Sequence, residues 1–331
     1  MTKKETMPQK PIDTPRPDTS SANTSASGLE PLETDMISIF QLENAIDAQR
    51  AVRGRAVRLS TALDKALGHD RYPPRIAALL GEAMMIAALV ARALKFKGRL
   101  VVQCHGTNEG AVSLLMADCT TEGSVRGYAR WHQDSLRDIE LDNKNPGAKT
   151  LLGGGTFSMT IDQGPDMDKY QGLAAIDGNS LAECAEYYFK QSEQIPTEIR
   201  LACGQVQVPG SSPMWHGGGM LIQRIAPDAS RGETDDDWDT ARALFATLSD
   251  EELIDPDLSQ DDLLYRLFNE TGVRVLERKG VNANCQCSRE RLEATLKSFD
   301  EAALDDIAKD GIITANCEFC GTDYIFKAAD L

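Results

Sequence analysis

Four cysteines near the C-terminal end have the residue type and spacing to bind a metal ion. Cys285 and Cys287 form a CxC pair, Cys317 and Cys320 form a CxxC pair, and residues 288–316 lie between the pairs. Four thiolates at these spacings suit a closed tetrahedral zinc site with Zn–S bonds of about 2.3 Å. Soft sulfur ligands select zinc or an iron–sulfur cluster over magnesium or calcium. We therefore predict one Zn²⁺ per chain, held by these four cysteines.

The two cysteine pairs should differ in how easily they oxidise. Extended residues at i and i+2 are about 6.6–7.2 Å apart between Cα atoms, whereas a disulfide prefers roughly 5.5–6 Å. Cys285 and Cys287 can therefore join only if the backbone kinks, while a turn brings Cys317 and Cys320 within about 7 Å. An oxidised thiolate no longer ligates well, so oxidation should abolish zinc binding.

The segment between the pairs is expected to form two short helices. One follows Ser288, and the other opens with the capping-box pattern of residues 298–301 and stops at Gly311. So small a module has few apolar groups, and chains below about 40 residues usually need a disulfide, a bound metal or oligomerisation in order to fold. Structural zinc contributes roughly 10–16 kcal/mol of apparent binding free energy in small peptides. Loss of the metal should therefore unfold the module.

Composition bounds the possible functions. With 331 residues, the chain is long enough for one large domain and a smaller one. Acidic residues outnumber basic ones by 51 to 35, giving a net charge of −16, which disfavours nucleic acid and anionic membranes as partners. The longest apolar stretch covers residues 83–91. It is too short to span a bilayer, which requires about 20 residues. A soluble protein is expected.

The N-terminal region and the cysteine distribution predict a cellular compartment. Residues 1–35 are rich in Pro, Ser, Thr and charge, which predicts a disordered tail. This region lacks the apolar core of a signal peptide, and its acidic residues fit a transit peptide poorly. Half of the eight cysteines are packed into two tight pairs, which favours metal or redox chemistry over a secreted disulfide framework. We expect a cytoplasmic protein.

Residues 36–227 are predicted to form an α+β domain with an antiparallel sheet, because the strand patterns come in runs without regularly alternating helices. A long buried helix should begin after Pro73 and Pro74 and run to Gly98. A second helix is expected over residues 181–194, capped by Asn179 or Ser180. The strand patterns lie at residues 52–59, 98–106, 111–119, 124–131, 155–162, 170–178, 197–206 and 218–227.

The chain changes character after this domain. Residues 228–280 are acidic and contain amphipathic helical patterns at 238–248 and 261–268, which indicates a helical linker of low stability. Each apolar stripe must be buried, and docking onto the main domain is the simplest arrangement. Residues 281–331 are then predicted to form a small zinc-binding domain that acts as a redox switch.

The segments CQCSRERLEATL, CEFCGTDYIF, YFKQSEQIPT, GGMLIQ and AVRGRAVRLS together resemble the heat shock protein 33 family of redox-regulated chaperonins. The resemblance runs from about residue 37 to the end of the chain. It implies an ATP-independent holdase that is inactive while reduced and zinc-bound, and that oxidants activate, often together with heat. No catalytic residue is implied, so the protein is not expected to be an enzyme.

The resemblance also implies how the switch works. Disulfides Cys285–Cys287 and Cys317–Cys320 would form as zinc is released. The linker would then lose its fold and expose apolar surface for unfolded client proteins. The reduced form would be a monomer and the oxidised form a homodimer. Such a protein would prevent aggregation during oxidative stress.

Two other functions compete with this interpretation. A thiol-disulfide oxidoreductase could use Cys317 and Cys320, although the CxxC pair lacks the βαβ context of thioredoxin. A structural zinc-ribbon interaction protein would need the four sulfurs only to hold metal. The remaining cysteines lie in apolar patterns and are expected to be small core residues, at Cys104, Cys119, Cys184 and Cys203. The glycine runs 153–155 and 217–219 lack phosphate-loop spacing and should be turns or close backbone approaches.

Overall fold

Antiparallel sheets with helices packed on them form the frame of the chain in a computed structural model, which describes residues 35–43, 51–68, 71–95, 97–164, 167–207, 210, 212–226 and 234–331. The predicted tail, residues 1–35, lies outside this range except for Asp35. The strands are β1 (Met36–Leu42), β2 (Val52–Leu59), β3 (Arg99–His105), β4 (Val112–Thr120), β5 (Val125–Trp131), β6 (Thr156–Asp162), β7 (Tyr170–Ala175), β8 (Thr197–Val206), β9 (Met214–Arg224), β10 (Val273–Gly280), β11 (Ile312–Asn316) and β12 (Asp323–Lys327).

Ten α-helices connect or cover the described strands. They are α1 (Thr61–Leu67), α2 (Pro74–Ala91), α3 (Gln133–Asp142), α4 (Ala148–Leu152), α5 (Leu181–Tyr188), α6 (Asp235–Phe245), α7 (Asp250–Ile254), α8 (Gln260–Phe268), α9 (Arg289–Leu296) and α10 (Glu301–Ile307). A π-helical turn, Phe189–Glu193, continues α5, and a 3₁₀ turn, Ala328–Asp330, follows β12. The predicted α+β class is confirmed at this level.

Every strand pair within the described sheets is antiparallel. The first sheet has the order β10-β1-β2-β9-β8, the second has the order β5-β4-β3-β6-β7, and β11 pairs with β12 alone. The eight strands that the sequence indicated between residues 52 and 227 are all present, with β9 beginning earlier, at Met214. The division into a main domain, a linker (228–280) and a zinc domain (281–331) stays a prediction.

Two expectations about the linker and the C-terminal module are wrong in part. The predicted linker is not wholly helical, because its last stretch is β10, which pairs with β1 and completes the first sheet. Val273 and Val275 of β10 pack on the core beneath, while most of the strand is exposed, and branched residues favour such an extended edge strand. The second module helix is capped by Asp300, whose side chain accepts from Ala303 N–H, and not by Ser298. That helix ends at Ile307, before Gly311.

The long apolar helix α2 lies at the centre of the main core. Pro73 is its N-cap and Pro74 its first residue, as predicted, but it ends at Ala91 rather than at Gly98. It packs against strands of both sheets. By length and composition alone this helix could cross a membrane, yet 72% of it is buried inside the protein, as in the core helix of a globular fold.

The first sheet separates two hydrophobic cores. Because successive side chains of a strand point to opposite faces, Val57 of β2 packs towards α2, while its neighbour Ala56 packs towards α6 and α8. The same alternation places Leu221 of β9 in the main core and Met220 in the other. We call the second cluster the linker core. Its members from the predicted linker are Trp238, Ala241, Phe245, Leu248, Leu253, Leu263, Leu264, Leu267 and Phe268.

Close approaches lock the linker helices onto the first sheet. The ring centroids of Phe40 and Phe268 are 6.0 Å apart, and Gly54 leaves room for Phe40, since a Cβ there would lie 2.1 Å from the ring. At Gly218 a Cβ would lie 2.0 Å from the Leu253 carbonyl oxygen, so α7 sits directly on β9. The apolar stripes of the linker helices are therefore buried on the main domain, as predicted, and the run 217–219 is a close backbone approach.

A carboxylate buried beside the main core should make the stability of the fold depend on pH. Oε2 of Glu82, on α2, is buried and has no hydrogen-bond partner within the described ranges. Burial raises the pKa of Glu82 to about 7, although a hydrogen bond from the Leu181 N–H lowers it in part. Folding therefore favours the protonated form, so the free energy of unfolding should fall as pH rises from about 4.5 to 7. We expect Glu82→Gln to stabilise the protein by about 3 kcal/mol at pH 8.

Denaturant unfolding at several pH values measures this effect. The gain from Glu82→Gln should shrink towards zero at about pH 4, because both folded and unfolded carboxyls are then protonated. Glu109→Gln, at an exposed loop position, is the matched control and should leave the pH profile unchanged. A gain at pH 8 that persists unaltered at pH 4 would contradict an ionic penalty at Glu82.

Candidate metal centre

The CxC pair lies on an extended segment that the second sheet holds in place. Val125 N–H of β5 donates to the Asn282 carbonyl at 2.8 Å, and Asn282 N–H donates to the Gly123 carbonyl at 2.8 Å. Ser124 Oγ donates to the carbonyl of Asn284 at 2.7 Å. These bonds fix the chain immediately before Cys285, so the first pair is anchored to the main body and not only to its own module.

The CxxC pair lies on the turn between β11 and β12. Cys317 N–H donates to the Thr322 carbonyl at 2.9 Å, and Gly321 N–H donates to the Cys317 carbonyl at 2.7 Å. The backbone of Gly321 has a φ of 71°. Glycine adopts this left-handed conformation without strain. The turn places both sulfurs on one side of the hairpin. Neither β11 nor β12 was predicted from the sequence.

The structure brings the four predicted cysteines together. Their Sγ atoms all lie within 4.8 Å of one another, with Cys285–Cys317 at 3.6 Å and Cys287–Cys320 at 3.5 Å. A tetrahedral zinc with bonds of about 2.3 Å needs sulfurs roughly 3.8 Å apart, so these positions fit the metal with little movement. Cys320 is exposed and the other three are half-buried. The cluster could hold a metal ion.

Neighbouring hydroxyl groups and main-chain N–H groups contact the sulfurs. Tyr324 donates its hydroxyl to Cys287 Sγ at 3.1 Å, and Thr322 Oγ1 lies 3.2 Å from Cys320 Sγ. Burial raises the pKa of Cys320, but hydrogen bonds from Thr322 and the adjacent cysteines outweigh burial and bring it down to about 6. Burial raises the pKa of the other three thiols. Such outer contacts orient metal ligands and adjust their basicity.

A solvent cavity of about 390 Å³ opens beside the sulfurs. Cys285, Cys287 and Cys320 line it, together with Phe319 and Arg126 of β5. A small oxidant such as a peroxide fits this volume, so the thiols are reachable without unfolding the module. Cys317 does not line the cavity.

The module around the centre has a small core of its own. Its buried apolar side chains are few, at Leu296, Leu304, Ile313 and Phe326. Ser288 caps α9 by accepting from Arg291 N–H at 3.3 Å, as the sequence indicated. The exposed large apolar residues of the module include Phe299 and Ile325. The sulfur cluster therefore lies where apolar packing is scarce.

The other four cysteines take no part in the centre. Cys104, Cys119 and Cys184 are buried in the main body, and Cys203 is half-buried, as expected for small core residues. Burial raises the pKa of Cys119 to about 12 and that of Cys184 to about 11. Thiols held in this protonated form react slowly with oxidants.

Several residues that bear on the centre were missed by sequence reasoning. Burial lowers the pKa of Arg126, but Asp118 and Cys285 raise it, and the net direction is upward. Tyr324 and Thr322 follow the CxxC pair closely and could have been noticed for their hydroxyls. Arg126 belongs to a strand far along the chain, and no local pattern indicates its contact with Cys285.

Known proteins resemble this chain over most of its length. A family model described as Hsp33 protein matches residues 41–327. A 33 kDa chaperonin from Caulobacter vibrioides (strain NA1000 / CB15N) is 49% identical over 291 residues, which cover 88% of this chain and 94% of that protein. A 33 kDa chaperonin from Aliivibrio fischeri (strain MJ11) is 36% identical over 282 residues, covering 85% and 90% respectively.

A solved structure shares the fold. The crystal structure of a 33 kDa chaperonin (heat shock protein 33 homolog) from Thermotoga maritima aligns with a TM-score of 0.67 over 88% of this chain and 95% of that chain, at 22% identity. The fold, the sulfur cluster and the relatives together define the class of this protein, which is a molecular chaperone. Within that class, the chain belongs to the Hsp33 family.

Proposed function

We propose that this chaperone is an ATP-independent holdase switched on by oxidation. The observation that carries the proposal is the four-sulfur cluster, at metal-binding distances, in a module with little core of its own. Cys285, Cys287, Cys317 and Cys320 would hold Zn²⁺ in the reduced form. When bound, zinc supplies the folding energy that the small apolar core does not.

The cysteines carry the chemical step. In each pair, two thiolates and two protons react with one peroxide molecule to form a disulfide and two molecules of water, so sulfur is oxidised and peroxide reduced. The proposed disulfides are Cys285–Cys287 and Cys317–Cys320, a pairing that rests on the family resemblance. Sulfur distances alone do not select it, since sulfurs from different pairs also approach to 3.5 Å. A disulfide no longer offers thiolates, so the metal site is lost.

Unfolding of the zinc module would destabilise the linker, because β10 connects the two. This strand continues directly into the CxC segment, and Lys279 Nζ donates to the Arg92 carbonyl at 3.1 Å. The linker core is apolar, while the ion pairs around it are largely exposed, such as Arg278–Asp261 at 2.5 Å. Exposed pairs of this kind contribute little to stability. A detached linker would leave the apolar face of the first sheet open to unfolded clients and to a second copy.

One oxidation series tests this function. Zinc content, free thiols, oligomeric state and suppression of client aggregation are measured on the same samples after treatment with hydrogen peroxide and mild heat. We expect the reduced zinc-loaded monomer to leave clients unprotected, and the oxidised zinc-free dimer to suppress aggregation without ATP. Equal suppression by the reduced, zinc-loaded protein would contradict the switch.

The same samples distinguish the competing functions. A thiol-disulfide oxidoreductase would accelerate insulin reduction at catalytic concentrations, which the proposed holdase should not do. A structural zinc protein would keep its zinc and show no chaperone activity in either redox state. Mass-spectrometric mapping of the oxidised cysteines tests the proposed disulfide pairing.

A further inference from the structure

One face of strand β5 forms a basic and aromatic surface. Arg126, Tyr128 and Arg130 alternate along the strand and share a face, while Val125 and Ala129, on the opposite face, are buried in the main core. Arg71, which precedes α2, lies beside this face. We call these four residues, Arg71, Arg126, Tyr128 and Arg130, the β5 surface.

The two residues between the CxxC cysteines dock on the β5 surface. Arg130 donates to the Glu318 carboxylate from one edge of its guanidinium, with Nη2 2.9 and 3.0 Å from the two carboxylate oxygens and Nε 3.1 Å from one of them. Arg71 donates to the Phe319 carbonyl at 2.8 Å and also to the Glu318 carbonyl. The turn is thus bound by both its side chains and its main chain.

The Phe319 ring is held between two side chains of the same surface. It meets Tyr128 edge to face, with centroids 4.8 Å apart, and the Arg126 guanidinium carbon lies 4.0 Å from its centroid. Arg126 is fixed by Asp118, a buried carboxylate, at 2.9 Å. Edge-to-face rings and arginine stacked on an aromatic ring are both attractive, so this contact adds to the exposed ion pair.

We propose that residues 318–319 are a latch, and that their docking on the β5 surface slows oxidation and metal loss at the cysteine centre. The proposal rests on the proposed redox function and adds a contact with the second sheet to the switch. Cys317 and Cys320 flank the latch, so docking of residues 318–319 restrains the backbone to which both of these cysteines belong. Docking therefore opposes the reaction in which two thiolates and two protons reduce one peroxide to two waters.

The rate of zinc release from the full-length, zinc-loaded protein tests the latch. A chromogenic chelator records release at a fixed concentration of hydrogen peroxide. We expect Phe319→Ala to accelerate release about ten-fold, because both ring contacts are lost. Tyr128→Ala should also accelerate zinc release, and it removes the partner of Phe319 on β5 without altering the sequence around the cysteines. Arg130→Ala should give about a three-fold effect, since the pair is exposed.

Controls separate docking from general damage. Arg137→Ala removes the same charge from exposed α3 and should release zinc at the wild-type rate. Arg130→Glu should accelerate release, and Arg130→Glu combined with Glu318→Arg should slow it again by restoring an ion pair. Wild-type release rates in the Phe319, Tyr128 and Arg130 variants would overturn the latch.

The latch and the proposed function fail in different ways. If the oxidised wild type did not suppress aggregation while the docking variants still released zinc faster, the redox chaperone function would be overturned and the latch supported. If the wild type switched as proposed while all docking variants released zinc at the wild-type rate, the latch alone would be overturned.

Discussion

The double variant Cys285→Ser, Cys287→Ser should lose its metal and, with it, the fold of residues 281–331. Only a small cluster of enclosed side chains supports this module, including Ile313 and Phe326. Structural zinc contributes roughly 10–16 kcal/mol in small zinc-binding peptides, far more than such a core supplies. Zinc stoichiometry should fall to zero, and amide hydrogen exchange across α9, α10 and the β11–β12 hairpin should become fast.

The main body should survive this change. Exchange in α2 and β3 should stay slow, because their side chains pack in a core that includes no residue of the cysteine centre. Cys104→Ala combined with Cys184→Ala is the matched control, since it removes two buried thiols from the main body and should leave one zinc per chain. Unchanged zinc stoichiometry in the serine variant would contradict the ligand assignment.

Phe268→Ala should release the linker helices while the metal centre remains intact. Phe268 is fully buried, and its ring faces Phe40 across the linker core. Removing a buried phenylalanine side chain costs about 3–5 kcal/mol. Since part of this core comes from short helices, hydrogen exchange in α6, α7 and α8 should accelerate strongly while zinc stays bound. Under the proposed function, this reduced variant should already suppress client aggregation.

Tyr265→Ala provides the comparison for Phe268→Ala. Tyr265 lies on the same helix, but 68% of its surface is exposed. Its removal should therefore change the free energy of unfolding by at most about 0.5 kcal/mol. Aggregation assays and hydrogen exchange on both zinc-loaded variants distinguish a linker effect from a general effect of substitution on α8. If Phe268→Ala loosened the helices without any gain in client protection, linker release would not be what activates the protein.

Local patterns predicted the elements whose signals are contained within a few residues. Pro74 marks the start of α2, Ser180 caps α5 through Glu183 N–H, and the alternating apolar residues of 52–59 form β2. Ser60 precedes α1 and has a residue type that commonly caps helices, but its side chain makes no capping bond. Asp35 Oδ1 instead accepts from Ser60 N–H at 2.8 Å and from Ala62 N–H at 3.0 Å.

The features that escaped prediction depend on distant residues. Strand β10 is largely exposed and highly charged, so it shows little strand periodicity until β1 is available as a partner. The cysteine quartet could be predicted because its ligand chemistry is encoded in residue type and spacing. Arg126 and Arg130 approach the centre only because the fold places β5 beside the CxxC turn, a proximity that no local pattern encodes.

The two-sided first sheet sets different requirements on residues that are immediate neighbours. Val57 and Leu221 pack in the main core, which must stay folded, while Ala56 and Met220 form part of the sheet face from which the linker helices would detach. A polar substitution on the main-core side of the sheet would threaten the folding of the whole protein. A polar substitution on the linker side would change only how firmly the linker stays docked in the reduced form. A saturation mutagenesis map of β2 and β9 should therefore alternate, residue by residue, between loss of protein abundance and loss of regulation.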